Sequence, residues 1–127
     1  MVPSRLILCV DDDVVGLRVR RTLLEHAGYT VLAAHNGNEA LTLFENQPIE
    51  AVVLDYFMPG MNGPEVAARM RQIKPRVPIL LLSAHLGLLE ESAPLVDRCM
   101  IKGAGVPLFL DHVSKLFSPS PERAPQT

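Results

Sequence analysis

The stretch Ala51-Val52-Val53-Leu54-Asp55 decides the fold of this chain: four apolar residues in an unbroken run, ended by a carboxylate. A strand with one wet face alternates apolar and polar residues, whereas a short continuous apolar run reads as a strand buried on both faces. Toward the N-terminus, Leu6-Ile7-Leu8-Cys9-Val10 is a second such run, stopped by Asp11-Asp12-Asp13. Toward the C-terminus, Ile79-Leu80-Leu81-Leu82 is a third, ended by Ser83, and Cys99-Met100-Ile101 is a weaker one ended by Lys102. Residues 29–34 supply a fifth strand.

A longer amphipathic stretch separates each strand from the next. Residues 14–27 predict a helix with Leu17, Leu23, Leu24 and Ala27 on one side, although Arg20 intrudes on that stripe, and Gly28 closes it. The turn Asn36-Gly37-Asn38 caps a helix over residues 39–46 that Pro48 ends. Pro64 stands where a first helical residue belongs, and the helix runs to about Ile73 with Ala67, Met70 and Ile73 on its buried side. A short helix spans residues 86–93 before Pro94. The last begins near Pro107, with Val106, Phe109, Leu110, Val113, Leu116 and Phe117 at helical spacing. Five strands alternating with five helices predict a doubly wound α/β fold, a parallel sheet covered on both faces. Residues 1–117 form that domain. The Pro-rich residues 118–127 read as a disordered tail.

At 127 residues the chain makes one domain, which buries roughly two-thirds of the unfolded surface without staples. Lys and Arg number 12 against 14 Asp and Glu, a formal −2, which argues against a nucleic-acid binder working through a basic face. With 48% apolar and 20% charged residues the chain is globular, and it has no apolar window long enough for a membrane span. Cys9 and Cys99 lie inside apolar runs without metal or redox spacing, and read as small core residues of a reducing, cytoplasmic protein. His26, His35 and His112 are scattered and suggest no metal site.

In an open parallel sheet, ligands bind outside the carboxyl ends of the strands. Asp11, Asp12, Asp55, Ser83 and Lys102 all fall there, although Asp12, Asp55, Ser83 and Lys102 are 43, 28 and 19 positions apart in sequence. Singly they are ordinary. One aspartate of the first three is a helix cap, Asp55 alone reads as a turn residue, and Lys102 alone reads as a solvated charge. Together they gather three carboxylates, and two like charges ~4 Å apart cost roughly 4 kcal/mol at an effective dielectric near 20. A hard divalent cation is the simplest relief, and Mg²⁺ suits a site with few carboxylates. A hydroxyl and an ammonium around a carboxylate describe a site for a phosphoryl group, with Asp55 as a nucleophile forming an acyl phosphate.

These residues resemble the receiver domain of bacterial two-component response regulators, from about Arg5 to Phe117. The resemblance rests on Leu6 through Asp13, on Val52-Val53-Leu54-Asp55-Tyr56-Phe57-Met58-Pro59-Gly60-Met61-Asn62-Gly63, and on Val77-Pro78-Ile79-Leu80-Leu81-Leu82-Ser83-Ala84. It implies a flavodoxin-like sheet of order 2-1-3-4-5. It further implies that Asp55 accepts a phosphoryl group from a sensor histidine kinase or phosphotransfer protein. Asp11, Asp12, Asp55 and the backbone carbonyl of Phe57 would hold Mg²⁺, while Ser83 and Lys102 would contact the phosphoryl group. Phe57 and His85 would flank it and tune its lifetime. Only 25 residues follow Lys102, so the expected output is contact with a downstream protein, or pairing of two copies, through the face of the fourth helix, fifth strand and fifth helix. Such a module is no enzyme beyond its own phosphotransfer and slow dephosphorylation.

The chain also departs from that pattern. Gly103 stands where a proline usually follows the lysine, Cys99 stands where an aromatic switch residue is common, and Leu95-Val96 replace a frequent Gly-Ala pair. The segment from Ser83 to Lys102 is also shorter than usual. Two other readings remain open. A degenerate receiver would bind partners without phosphorylation. A phosphatase of the haloacid-dehalogenase type would need a second Asp two positions after Asp55, where Phe57 stands.

Overall fold

A computed structural model describes residues 4–118; the predicted tail therefore lies almost wholly outside the described residues. Five strands form one sheet: β1 (Leu6–Val10), β2 (Thr30–Ala34), β3 (Ala51–Asp55), β4 (Ile79–Ser83) and β5 (Arg98–Ile101). Their order is β2-β1-β3-β4-β5 and every pairing is parallel, as expected. The crossovers are α1 (Val14–His26), α2 (Gly37–Asn46), α3 (Gly63–Ile73) and α4 (Leu86–Ser92), and α5 (Val106–Leu116) follows β5. A single 3₁₀ turn, Ala93–Leu95, extends α4 toward β5.

Side-chain alternation along the strands builds two cores. Leu8, Val10, Val52, Leu54, Ile79 and Leu81 face one way and pack with Ala40 and Phe44 of α2, Val66, Ala67 and Met70 of α3, and Leu89 of α4. Ile7, Cys9, Val53, Leu80, Leu82 and Met100 face the other way, against Leu17 and Leu24 of α1 and Phe109, Val113 and Leu116 of α5. Every residue of β3 and β4 is buried, which is why their sequences show no alternation.

Local chemistry sets the helix ends. Of the three consecutive aspartates, Asp13 is the cap: its side chain accepts from the Val15 backbone N–H at 3.2 Å. Asn36 caps α2 in the same way, which starts that helix at Gly37, two residues earlier than the turn suggests. Asn62 and Glu65 form a reciprocal capping box on α3. Gly63 opens α3 because nothing larger fits, since a Cβ there would stand 2.6 Å from the Asp55 carbonyl oxygen.

Several expected core positions differ, among them Ala27, which is exposed at the C-terminal cap of α1. Ile73 is 39% exposed and Val106 is 44% exposed; they are the last residue of α3 and the first of α5. Cys99 is only half-buried, since β5 is an edge strand covered by the short α4.

Candidate functional site

The backbone ladder runs one residue past three strands and thereby places the polar side chains. Asp11 N–H donates to the Ala34 carbonyl at 3.1 Å, Tyr56 N–H to Leu82 at 2.9 Å, and Lys102 N–H to Ser83 at 2.8 Å. By alternation, Asp11, Asp55 and Lys102 continue the parity of Cys9, Val53 and Met100, on the face covered by α1 and α5. Ser83 continues the parity of Leu81, toward α3 and α4.

The three predicted carboxylates do converge. Asp11, Asp12 and Asp55 each offer an oxygen, and these oxygens lie within 4.8 Å of one another. Asp11 and Asp55 are buried while Asp12 is exposed. Lys102 Nζ stands 2.6 Å from Asp55 Oδ1 and 3.5 Å from Asp11 Oδ2, with about a third of its side chain exposed. Three hard oxygen donors at this spacing, one open to water, fit Mg²⁺. The trio is the one such cluster among the described residues, in keeping with the scattered histidines.

Ser83 is buried, and its Oγ accepts from the His85 backbone N–H at 3.1 Å, so its hydroxyl proton remains to be donated. Phe57 leads out of the site two residues after Asp55, with its ring 57% exposed. That ring stands edge-on to His85, with centroids 6.2 Å apart and planes at 90°, so the two aromatic groups that follow Asp55 and Ser83 meet.

Arg20 is the site neighbour that sequence reasoning passed over. It projects from α1 and pairs with Asp11 Oδ2, while Asp11 Oδ1 accepts from the Asp13 backbone N–H at 3.0 Å. Burial pushes the Cys9 thiol up to about 11, against the opposing pull of the Arg20 guanidinium beside it. The one sequence signal for this role is the charge on an otherwise apolar helix stripe. Relief of the carboxylate repulsion is thus already built into the chain through two cations, Lys102, which the sequence placed at this edge, and Arg20, which it did not.

Comparison with known proteins agrees with this geometry. The pattern of the response regulator receiver domain matches residues 7–117. The alkaline phosphatase synthesis transcriptional regulatory protein PhoP of Bacillus subtilis is 38% identical over 117 residues, covering 91% of this chain and 44% of that protein. The sensor histidine kinase GacS of Pseudomonas protegens is 38% identical over 94 residues, covering 70% of this chain and 10% of the kinase. The chain therefore spans less than half the length of these relatives. Among solved structures, response regulator TrrA of Thermotoga maritima in complex with Mg²⁺-BeF superposes with a TM-score of 0.84 at 33% identity, over 88% of this chain and 98% of that one. The chemotaxis protein CheY4 of Vibrio cholerae shares the fold at a TM-score of 0.83 and 24% identity, over 90% of this chain and 99% of that one.

Proposed function

The chain belongs to the response regulator receiver domain family, and on that premise we propose that it is a phosphoacceptor switch whose phosphorylated residue is Asp55. The observation that carries this reading is the buried Asp55 carboxylate, with Lys102 at 2.6 Å and the oxygens of Asp11 and Asp12 within 4.8 Å. A carboxylate so placed is oriented by its ion pair, and Ser83 at the end of the neighbouring strand β4 offers a hydroxyl at the same sheet edge.

The partner supplying the group is a histidine kinase or a phosphotransfer protein. A carboxylate oxygen of Asp55 attacks the phosphorus, the P–N bond of the phosphohistidine breaks, and the imidazole leaves with the electron pair. Lys102 follows the developing negative charge from the carboxylate to the phosphoryl oxygens, and Ser83 donates its hydroxyl proton to one of them. Asp11, Asp12, Asp55 and the Phe57 carbonyl would hold Mg²⁺, which supplies charge neutralisation for the transferred group. TrrA, solved with Mg²⁺-BeF, supports that assignment. The Phe57 and His85 rings restrict water at the mouth and so lengthen the life of the acyl phosphate.

On this reading the chain turns over no external substrate and acts in the cytoplasm, in keeping with its two free cysteines. Its output is a protein contact through α4, β5 and α5, with a downstream protein or a second copy. Cys99 holds that face together by donating its thiol to the Leu89 carbonyl at 3.6 Å, in place of an aromatic switch.

Incubation with Mg²⁺ and acetyl phosphate should add one alkali-labile phosphoryl group to the parent protein and none to Asp55→Asn. An unlabelled parent, or equal labelling of both, would refute the assignment. Partner binding unchanged by phosphodonor would instead favour an interaction module that works without phosphorylation.

A further inference from the structure

Asp11 has no oxygen left without a protein donor. Oδ1 accepts from the Asp13 N–H at 3.0 Å, and Oδ2 is paired with Arg20 and has Lys102 Nζ at 3.5 Å. Arg20 reaches it from the stripe of α1 that also carries the buried Leu17 and Leu24, and its side chain is only 16% exposed.

A second feature of α1 makes this placement specific. Gly16, one turn before Arg20, lies beside the guanidinium, and a Cβ there would be tightest against Asp13 Oδ2, at 3.0 Å. A Cβ on Gly16 would stand 3.3 and 3.5 Å from the two terminal nitrogens of Arg20. Glycine inside a helix costs about 1 kcal/mol relative to alanine, so its presence mid-helix suits the neighbour it accommodates. Arg20 and Lys102 also line one groove of about 240 Å³ between α1 and the segment leading into α5, so both cations meet the same solvent.

We propose that Arg20 is a resident counter-cation that holds Asp11 and competes with Mg²⁺ for it, thereby setting the Mg²⁺ concentration at which the site loads. The proposal rests on the reading of the site as a Mg²⁺-dependent phosphoacceptor. Three carboxylates face two protein cations, Arg20 and Lys102, before any metal enters. A divalent ion must share Asp11 with a guanidinium already on Oδ2, and it meets a less negative site. Arg20 acts through Asp11 and touches no reacting atom, so it is a positioning residue. Its effect belongs to cation affinity and not to the chemical step.

Calorimetric titration of the unphosphorylated protein with Mg²⁺ tests this directly. Arg20→Gln removes the charge and keeps a hydrogen-bonding side chain; it should bind Mg²⁺ about tenfold more tightly than the parent, as expected for deleting one nearby positive charge. Arg20→Lys retains the charge and should stay close to the parent. In an Asp11→Asn background, Arg20→Gln should change the affinity little. Should the glutamine variant fold poorly, the side-chain Nε–H resonance of Arg20 in the parent protein gives an independent reading, and it should shift as Mg²⁺ is added. Equal or weaker binding by Arg20→Gln, undiminished tightening without the Asp11 charge, or a stationary Arg20 resonance would overturn the proposal while leaving the phosphoacceptor reading intact. Failure of the parent itself to bind Mg²⁺ would overturn both.

Discussion

Lys102→Met removes the cation paired with Asp55, and its consequences are calculable. At 2.6 Å the attraction to Asp55 is about 6 kcal/mol at an effective dielectric near 20. Much of that is offset by desolvating the ammonium, and about a third of the lysine side chain still meets water. Losing one partner of a fully buried pair costs about 3–5 kcal/mol, and discounting for this exposure gives about 2 kcal/mol of lost stability. For a domain of this size that is a fall in Tm of roughly 8 °C. The cost comes from a specific place: Asp55, Asp11 and Asp12 would then face Arg20 alone. Two results should follow in urea unfolding experiments. Asp55→Asn in the Lys102→Met background should restore most of the loss, since the orphaned charge is gone. Millimolar Mg²⁺ should stabilise the single variant more than the parent, because the ion replaces a missing cation. A Lys102→Met protein as stable as its parent, or one indifferent to both rescues, would show that Lys102 does not neutralise this cluster.

Gly63→Ala should destabilise by about 3 kcal/mol, the upper range for forced overpacking, because the new Cβ meets the Asp55 carbonyl oxygen, Leu81 and Tyr56 at 2.6–3.0 Å; urea midpoints within error of the parent would contradict it. The Cys9 thiol, pushed up to about 11, should be about one part in a thousand thiolate at pH 8 and should react with Ellman's reagent only on unfolding. Its folded pKa lies above the ordinary thiol value of 9.0, so the unfolded thiol ionises first and stability should fall as pH rises from about 9 to 11, a slope that Cys9→Ala should flatten. Phe57→Ala should shorten the acyl-phosphate lifetime several-fold by opening the mouth to water, measured as loss of label at constant Mg²⁺; an unchanged lifetime would remove the ring's shielding role.

How far the fold could be read in advance follows from where burial is two-sided. β3 and β4 are covered above and below, so a bare apolar run sufficed to place them. The parallel sheet followed from alternation of strands and helices, and the strand order came through resemblance. What periodicity lacks is depth. Ile73 and Val106 stand at helical spacing with the buried residues of their helices but at the terminal positions, where fewer neighbours cover them. The strand-end residues were legible because strand ends are the positions a topology specifies best. Asp13 could not be told from Asp11 and Asp12, since which aspartate caps depends on where the helix turns, and all three have the same side chain.

Arg20 was illegible for a different reason, and that reason bears on how the site works. Its partner Asp11 is nine residues away, beyond the three- and four-residue spacings that helix surface pairs obey. It comes into range only because β1 and α1 are folded back on each other around their short connection. The two cations that result are not equivalent. Arg20 is only 16% exposed and paired with Asp11, so it has little freedom to leave it. Lys102 is about twice as exposed, and its four-carbon stem lets the ammonium move by small rotations. A fixed cation offsets part of the cost of burying Asp11 beside two other carboxylates. On the phosphoacceptor reading the cluster also needs a cation free to transfer its charge from the Asp55 oxygen to an incoming phosphoryl group. One lysine serving both purposes would have to leave the cluster unbalanced each time it moved. Dividing the roles between a guanidinium on α1 and an ammonium beyond β5 lets the acceptor change partners while Asp11 keeps its own.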